Sequence, residues 1–262
     1  MTLDLTWAPF AGALVGFIVG LTGVGGGALM APILLLGFGL DLQTVVATDL
    51  LFATITKLFA GGMHIRNQLV DWQIVKRLWL GSMTATFIVV GLAHQGYLFQ
   101  SPQWIITLLG FLILFSGFSL MFGHRLQLSQ QAKRIASPGQ FKLLQGPLTV
   151  FSGSILGTLI TMTSVGAGAL GAVFLRALYP LRMQPRPLVA TDTIHAIPVS
   201  LVGGISFLIM GYTDLEILTL LLVGSIPMAL LGSSLIKQAP VNIVKLILAC
   251  ALILAGLKLI LS

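Results

Sequence analysis

Charged residues are scarce in this sequence. Of its 262 residues, only 8% are charged and 56% are hydrophobic, whereas soluble globular domains carry about 25% charged residues. So little charge cannot cover the surface of a water-soluble domain. The composition therefore excludes a soluble protein and indicates an integral membrane protein.

Cysteine and the features of a signal peptide are also missing. The single Cys250 excludes an intrachain disulfide framework and a cysteine metal cluster. The N-terminal sequence MTLDLTWAPF lacks the basic flank of a cleavable signal, so we expect the first apolar segment to remain in the membrane. We expect no metal and no cofactor.

Long apolar runs make up most of the chain. Runs of about 20 residues, the length that spans a bilayer, cover residues 42–63, 74–93, 104–122, 189–210, 215–236 and 241–261. Two shorter, interrupted apolar regions lie at residues 7–40 and 148–178. The pattern predicts an all-α, polytopic membrane protein.

Basic residues are concentrated in a few of the short loops between these runs. The net charge of +7 alone would suit a nucleic-acid partner, but basic loops of this kind are typical of the cytoplasmic side of a membrane protein. The basic loop residues are Arg66, Lys76, Arg77, His124, Arg125, Lys133, Arg134, Lys142, Arg176, Arg182 and Arg186. The intervening turns carry Asp4, Asp41, Asp214 and Glu216. We therefore expect the partner to be the lipid bilayer and not nucleic acid.

The sequence contains an internal duplication. FAGALVGFIVGLTGVGGGAL at residues 10–29 aligns with FSGSILGTLITMTSVGAGAL at residues 151–170, with about nine of twenty positions identical, which indicates a repeat. The match continues with VATDLL at 46–51 over VATDTI at 189–194, and with Asp71 over Asp214. We assign repeat 1 to residues 6–123, a basic cytoplasmic linker to 124–145 and repeat 2 to 146–262.

Each repeat is predicted to hold five helical segments, of which the first two are short and broken at the glycine-rich motif. In repeat 2 the segments are 145–162, 166–179, 188–210, 215–236 and 241–261. Because five is odd, repeat 2 must enter the membrane from the opposite side, so the repeats are predicted to be inverted. Inverted repeats with glycine-interrupted segments indicate a secondary transporter whose site lies between the repeats.

The glycine-rich breaks are the first candidate site. Irregular backbone at membrane depth is tolerated only where protein covers it or a cavity meets it, and the free N–H groups of a helix N-terminus bind anions. The predicted substrate ligands are Thr22, Gly25, Gly26, Gly27, Thr163, Ser164, Gly166 and Gly168. Alternatively, these glycines only let helices pack closely, a role for which the spacing of Gly12, Gly16, Gly153 and Gly157 is suited.

Four ionisable residues inside the apolar runs form the second candidate set, because charge at membrane depth is costly and marks function. Asp49 and Asp192 occupy equivalent repeat positions and are assigned to proton coupling, with one of them protonated when an anion is bound. Lys57 and His195 are assigned to substrate binding. The alternatives are that the aspartates cap the breaks, that Lys57 extends to the membrane interface, and that His195 is an ordinary core histidine.

The chain resembles the TauE/SafE family of sulfite and organosulfonate exporters over nearly its whole length. The resemblance lies in GFIVGLTGVGGGALMAPILLL, VATDLL and VDW, and in the degenerate copies TMTSVGAGAL, VATDTI and YTDLE. It implies a bacterial inner-membrane permease that exports a small sulfur oxyanion, such as sulfite or sulfoacetate, without ATP. The site residues it carries over are Gly25, Gly26, Gly27, Gly166 and Gly168. The implied partner is a small anionic substrate, and a homodimer stays open.

Three other functions fit parts of the sequence. A carrier of another small anion or of a carboxylate would use the same breaks. An intramembrane hydrolase would pair Ser154 or Ser164 with His195. A membrane subunit without a substrate of its own would need none of these residues. The leading interpretation is a secondary active exporter that works by alternating access.

Gly26→Leu is predicted to abolish transport without preventing membrane insertion, because the leucine side chain would occupy the place of the anion. The measurement is the uptake of labelled substrate into vesicles, with the amount of inserted protein determined in parallel. Normal transport by an inserted variant would place the anion site elsewhere.

Overall fold

The structure, a computed structural model, describes the backbone of residues 3–22, 27–100, 102–136, 140–235 and 241–261. Side chains are described for residues 3–20, 27–62, 64–100, 102–121, 144–232 and 246–261. Over these residues the chain forms helices and turns and contains no strand.

The helices follow the predicted order of segments. They are α1 (Ala8–Thr22), α2 (Gly27–Pro32), α3 (Leu42–Arg66), α4 (Trp72–His94), α5 (Pro102–Ala136), α6 (Gln140–Thr163), α7 (Ala169–Leu178), α8 (Pro185–Ile209), α9 (Leu215–Leu235) and α10 (Val241–Leu261). A 3₁₀ turn at Leu5–Trp7 precedes α1, and a π-helical turn at Ile33–Gly37 extends α2.

Six helices in the described part of the chain are long and apolar enough to cross a membrane. They are Leu42–Arg66, Trp72–His94, Pro102–Met121, Leu144–Thr163, Pro185–Ile209 and Leu215–Gly232. The prediction of an all-α, polytopic membrane protein is therefore confirmed.

Two helices are longer than the sequence pattern suggested. α5 continues beyond its apolar part to Ala136, and α6 begins at Gln140, so most of the backbone of residues 124–145 is helical. As a result α6, the first helix of the second half, has 24 residues and is not short. Lys, Arg, Gln, Leu and Ala dominate this region, and these residues favour helix whether or not it is in lipid.

Glycines bring pairs of helices from opposite halves into close contact. On α1, a methyl group added to Gly12 or Gly16 would lie 2.8 Å from Leu221 Cα or 2.7 Å from Ser225 Cα of α9. Because lipid gives no hydrophobic drive for helices to associate, small residues that permit close backbone approach hold such pairs together. The packing role considered for Gly12 and Gly16 is thus the one the structure shows.

The same contacts recur with the two halves exchanged. On α6, Gly153 and Gly157 pack against Leu78 and Ser82 of α4, and these four residues align with Gly12, Gly16, Leu221 and Ser225 in the repeat. The pair α4–α6 therefore corresponds to α9–α1, while α5 packs on its own mate α10 and α3 on its own mate α8. Such reciprocal packing is expected of two repeats related by a twofold axis.

Gly157→Ala is predicted to destabilise the protein by about 1–3 kcal/mol, because the added methyl group would lie 2.6 Å from the Cα of Ser82 and force the packed helices apart. Thermal unfolding in detergent measures the effect. Gly91→Ala is the matched control, since a methyl group there meets no heavy atom within 4 Å. Equal stability of the two variants would show that close approach of α4 and α6 is not required.

Candidate substrate site

The second glycine break separates α6 from α7 and has left-handed backbone. Gly166 and Gly168 have φ angles of 134° and 102°, and Ser164 has a φ angle of 56°. Glycine adopts such angles at little cost, which explains its presence at positions 166 and 168. The hydroxyl of Thr163 bonds the carbonyl oxygens of Leu159 (2.7 Å) and Val165 (3.1 Å). Thr163 therefore stabilises the break itself.

The start of α2, which follows the first break in the chain, lies against the second break. Of the predicted ligands in the first break, Gly25 and Gly26 lie outside the described residues, as does the side chain of Thr22. Gly27 begins α2 and is buried. A methyl group at Gly27 would lie 2.5 Å from the carbonyl oxygen of Ser164 and 3.4 Å from Oδ2 of Asp49. The absence of a side chain at Gly27 thus lets the start of α2 approach the second break.

Asp49 of α3 extends to the break of the opposite half. Its Oδ2 accepts a hydrogen bond from the hydroxyl of Ser164, and the residue is completely buried. Its other oxygen, Oδ1, is also buried and has no hydrogen-bond partner in the described part of the chain. Asp49 therefore joins the two halves at the break and keeps one acceptor unused.

Asp192 of α8 caps the break of its own half. Its Oδ2 accepts a hydrogen bond of 2.6 Å from the N–H of Gly168, the residue that precedes α7. A carboxylate at this place satisfies a free N–H and interacts favourably with the helix dipole. A methyl group at Gly171 would lie 2.8 Å from Cγ of Asp192, so this glycine makes room for the carboxylate. The capping role considered for the aspartates is present here, although Oδ1 is again buried without a partner among the described residues.

Lys57 lies two turns beyond Asp49 on α3 and belongs to the same cluster. Its side chain is only 6% exposed, and its ammonium group interacts electrostatically with Asp192 and Asp49. It forms no direct ion pair with either carboxylate in the described structure, where Arg182 and Asp71 form an ion pair. The lysine is therefore a buried cation near two carboxylates and not a side chain extended to the interface.

His195 connects this cluster to α4. Its Nε2 lies 3.0 Å from Oγ of Ser82, and its backbone carbonyl accepts a hydrogen bond from the indole N–H of Trp79. Nδ1 is buried and lacks a partner in the described part of the molecule. Ser154 and Ser164, the serines of the hydrolase alternative, bond the carbonyl of Val150 and the carboxylate of Asp49 instead. Neither serine forms the nucleophile–base pair with His195 that a hydrolase would need.

The sequence interpretation missed the role of two threonines. The hydroxyl of Thr191 accepts a hydrogen bond of 3.1 Å from the N–H of Asp71, and that of Thr48 accepts one of 3.2 Å from the N–H of Asp214. The duplication in the sequence could have revealed both pairs, because Thr48 aligns with Thr191 and Asp71 with Asp214 in the repeat. The threonine beside each buried aspartate thus ties α3 or α8 to the start of a helix in the opposite half.

A separate cavity of about 490 Å³ lies between α4, α5 and α6. Its lining is mostly apolar and includes Ile88, Trp104 and Thr158. None of the four buried ionisable residues lines it. An apolar surface does not offer the donors that a small oxyanion needs, so the cluster around Lys57 is the better candidate site.

A bundle of membrane-spanning helices, with two broken helices meeting at buried charges from both halves, defines a polytopic membrane protein of the transporter class. Comparison with known proteins gives the family. Residues 8–259 match the family described as Sulfite exporter TauE/SafE, and the chain belongs to this family.

Two curated relatives cover almost the whole chain. One is the probable membrane transporter protein YjnA of Bacillus subtilis (strain 168), 32% identical over 255 residues that make up 95% of this chain and 97% of the relative. The other is the probable membrane transporter protein YdhB of the same organism, 25% identical over 258 residues, or 94% of this chain and 96% of the relative. No solved structure matches the chain.

Gly171→Ala is predicted to reduce the transport rate roughly tenfold or more, because the methyl group would displace the Asp192 carboxylate at a cost of about 1–3 kcal/mol. The measurement is the initial rate of anion uptake into proteoliposomes. Gly62→Ala is the control, since a methyl group at Gly62 meets no heavy atom within 4 Å. A Gly171→Ala variant with the wild-type rate would show that the position of Asp192 is unimportant.

Proposed function

We propose that the protein is a secondary active transporter that exports a small sulfur oxyanion by alternating access, coupled to protons. The substrate is sulfite or an organosulfonate such as sulfoacetate, and the membrane is the bacterial inner membrane. The family assignment supports a sulfur oxyanion as substrate, and both curated relatives are described as membrane transporters.

The observation that carries the proposal is that Lys57 is buried and forms no direct ion pair in the described structure. A buried ammonium group that makes no direct ion pair in the described structure attracts an anion far more strongly than one in water, because the local dielectric is low. Lysine also offers three donors on a compact charge. The hydroxyl of Ser164 lies in the same cluster but donates its one hydrogen to Asp49. The ammonium group therefore supplies the donors for a small oxyanion, which carries acceptors alone.

The arrangement of the halves supports alternating access. Asp49 and Lys57 come from α3 and Asp192 and His195 from α8, so each half supplies one side of the site. In the proposed mechanism the halves are inverted repeats with five segments each, and rocking of one against the other exposes the site first to one face and then to the other. The reciprocal helix packing supports this part of the proposal.

A small carboxylate is the second candidate substrate. An ammonium group recognises a charged oxygen and does not by itself distinguish a sulfonate from a carboxylate. The specificity must then come from residues around the rest of the molecule. Competition by acetate against sulfite and sulfoacetate in the same transport assay decides between the two classes.

Lys57→Met is predicted to lower the uptake of sulfite and sulfoacetate by at least about tenfold, because methionine keeps the bulk of the side chain and removes the charge, and the loss of a single buried charge contact costs more than about 1.4 kcal/mol. Uptake into proteoliposomes measures it. The control is Lys76→Met, which removes an exposed lysine of α4. Wild-type uptake by Lys57→Met, or equal losses in both variants, would contradict the proposal.

A further inference from the structure

We infer that the substrate anion binds directly to Asp49 in its acid form, so that each monoanion is carried together with one proton. The inference rests on the proposed function. It adds a substrate ligand to the site and identifies the atom that holds the coupled proton, which is Oδ1 of Asp49.

One carboxylate oxygen of Asp49 is an unused acceptor in the described structure. Oδ1 of Asp49 is completely buried and lacks a hydrogen-bond partner among the described residues, and a buried polar atom in that state is costly. An ionised carboxylate and an oxyanion both carry acceptors alone, so they repel each other. A protonated carboxyl group donates through its O–H. Protonation at Oδ1 therefore gives the buried oxygen a partner and the anion a donor at once.

The two aspartates differ in how strongly the protein holds them in the ionised form. Asp192 receives a backbone N–H at the N-terminus of α7, and both this bond and the helix dipole favour its carboxylate. Among the described residues, Asp49 receives a hydrogen bond from the hydroxyl of Ser164 alone, and this hydroxyl can turn to accept as well as donate. Asp49 is therefore the better carrier of a proton, and Asp192 is the permanent anion.

The charge of the site sets the number of protons. Lys57, on the same helix as Asp49, interacts with Asp49 and with Asp192 and His195 of α8. The described parts of α2, α6 and α9 contribute no buried ionisable side chain. With both carboxylates ionised, Lys57 protonated and His195 neutral, the site has one net negative charge. A monoanion adds a second negative charge, and one proton on Asp49 restores the original charge, so that binding adds no further uncompensated charge to the buried site.

The driving force for transport depends on this ratio of one proton per anion. A monoanion and a proton that cross together move no net charge, so the membrane potential does not act on the pair. The direction of transport then follows the combined gradients of anion and proton, and export occurs when the anion accumulates inside the cell.

The test is calorimetric binding of methanesulfonate to the purified full-length protein over a range of pH. A sulfonate stays a monoanion throughout, so any dependence on pH belongs to the protein. We expect the affinity to fall about tenfold per pH unit on the alkaline side. We also expect one proton to be taken up per anion bound, as determined in buffers of different ionisation enthalpy.

Two isosteric variants locate the proton. Asp49→Asn should bind methanesulfonate without pH dependence, because the amide N–H donates in place of the acid O–H. Asp192→Asn is the matched control at the equivalent repeat position and should keep the pH dependence, whatever its affinity. Asp41→Asn, which changes an exposed residue bonded to Thr44, should behave like the wild type.

The outcomes separate this inference from the proposed function. Binding by the wild type with no proton uptake, or loss of the pH dependence in Asp192→Asn, would overturn the role of Asp49 and leave the transporter intact. If acetate binds with proton uptake while methanesulfonate and sulfite do not bind, the role of Asp49 is supported and the proposed sulfur substrate is contradicted. If none of the three anions binds, both the role of Asp49 and the proposed sulfur substrate are contradicted. The proton-uptake measurement on the wild type needs no variant, so a misfolded Asp49→Asn protein would not prevent the test.

Discussion

The structure depends on keeping two carboxylates and one ammonium group buried among membrane-spanning helices. Asp49 and Asp192 occupy equivalent positions of the two halves, each is bonded to the second helix break, and Lys57 interacts with both. Charge of this kind is expensive at membrane depth and persists only where partners and function require it. The second break supplies those partners, since it presents the hydroxyl of Ser164 and the free N–H of Gly168.

The same residues connect the site to the relative position of the halves. Thr48 and Thr191, which precede the two aspartates, accept hydrogen bonds from the N–H groups of Asp214 and Asp71, the residues immediately before α9 and α4. Asp71 also forms an ion pair of 2.7 Å with Arg182, in the turn between α7 and α8. A movement of one half against the other therefore changes contacts immediately beside the carboxylates. In the proposed mechanism, these contacts couple substrate binding to the conformational change.

Much of this arrangement was predictable from the sequence, because the same motifs occur in both repeats. The repeat identified the helix order, the packing glycines at positions 12, 16, 153 and 157, and the paired aspartates. The bond between Ser164 and Asp49 was not predictable, because it joins opposite halves and depends on which helices pack together. The bond between His195 and Ser82 was missed for the same reason. The lengths of α5 and α6 were underestimated, because polar residues that favour helix continue both helices beyond their apolar parts.

The two halves also differ in ways that matter for the site. Lys57 aligns with Ser200 and His195 with Phe52 in the repeat, so the cation comes from the first half and the histidine from the second. The candidate site is therefore asymmetric although the packing around it is reciprocal. The central claim is that a small oxyanion binds beside Lys57, near the second break. A diffraction experiment on crystals soaked with selenite, the selenium analogue of sulfite, tests it most directly. The account predicts an anomalous selenium peak within hydrogen-bonding distance of Nζ of Lys57. A peak confined to the loop arginines Arg66, Arg182 and Arg186, or to the apolar cavity between α4, α5 and α6, would contradict it.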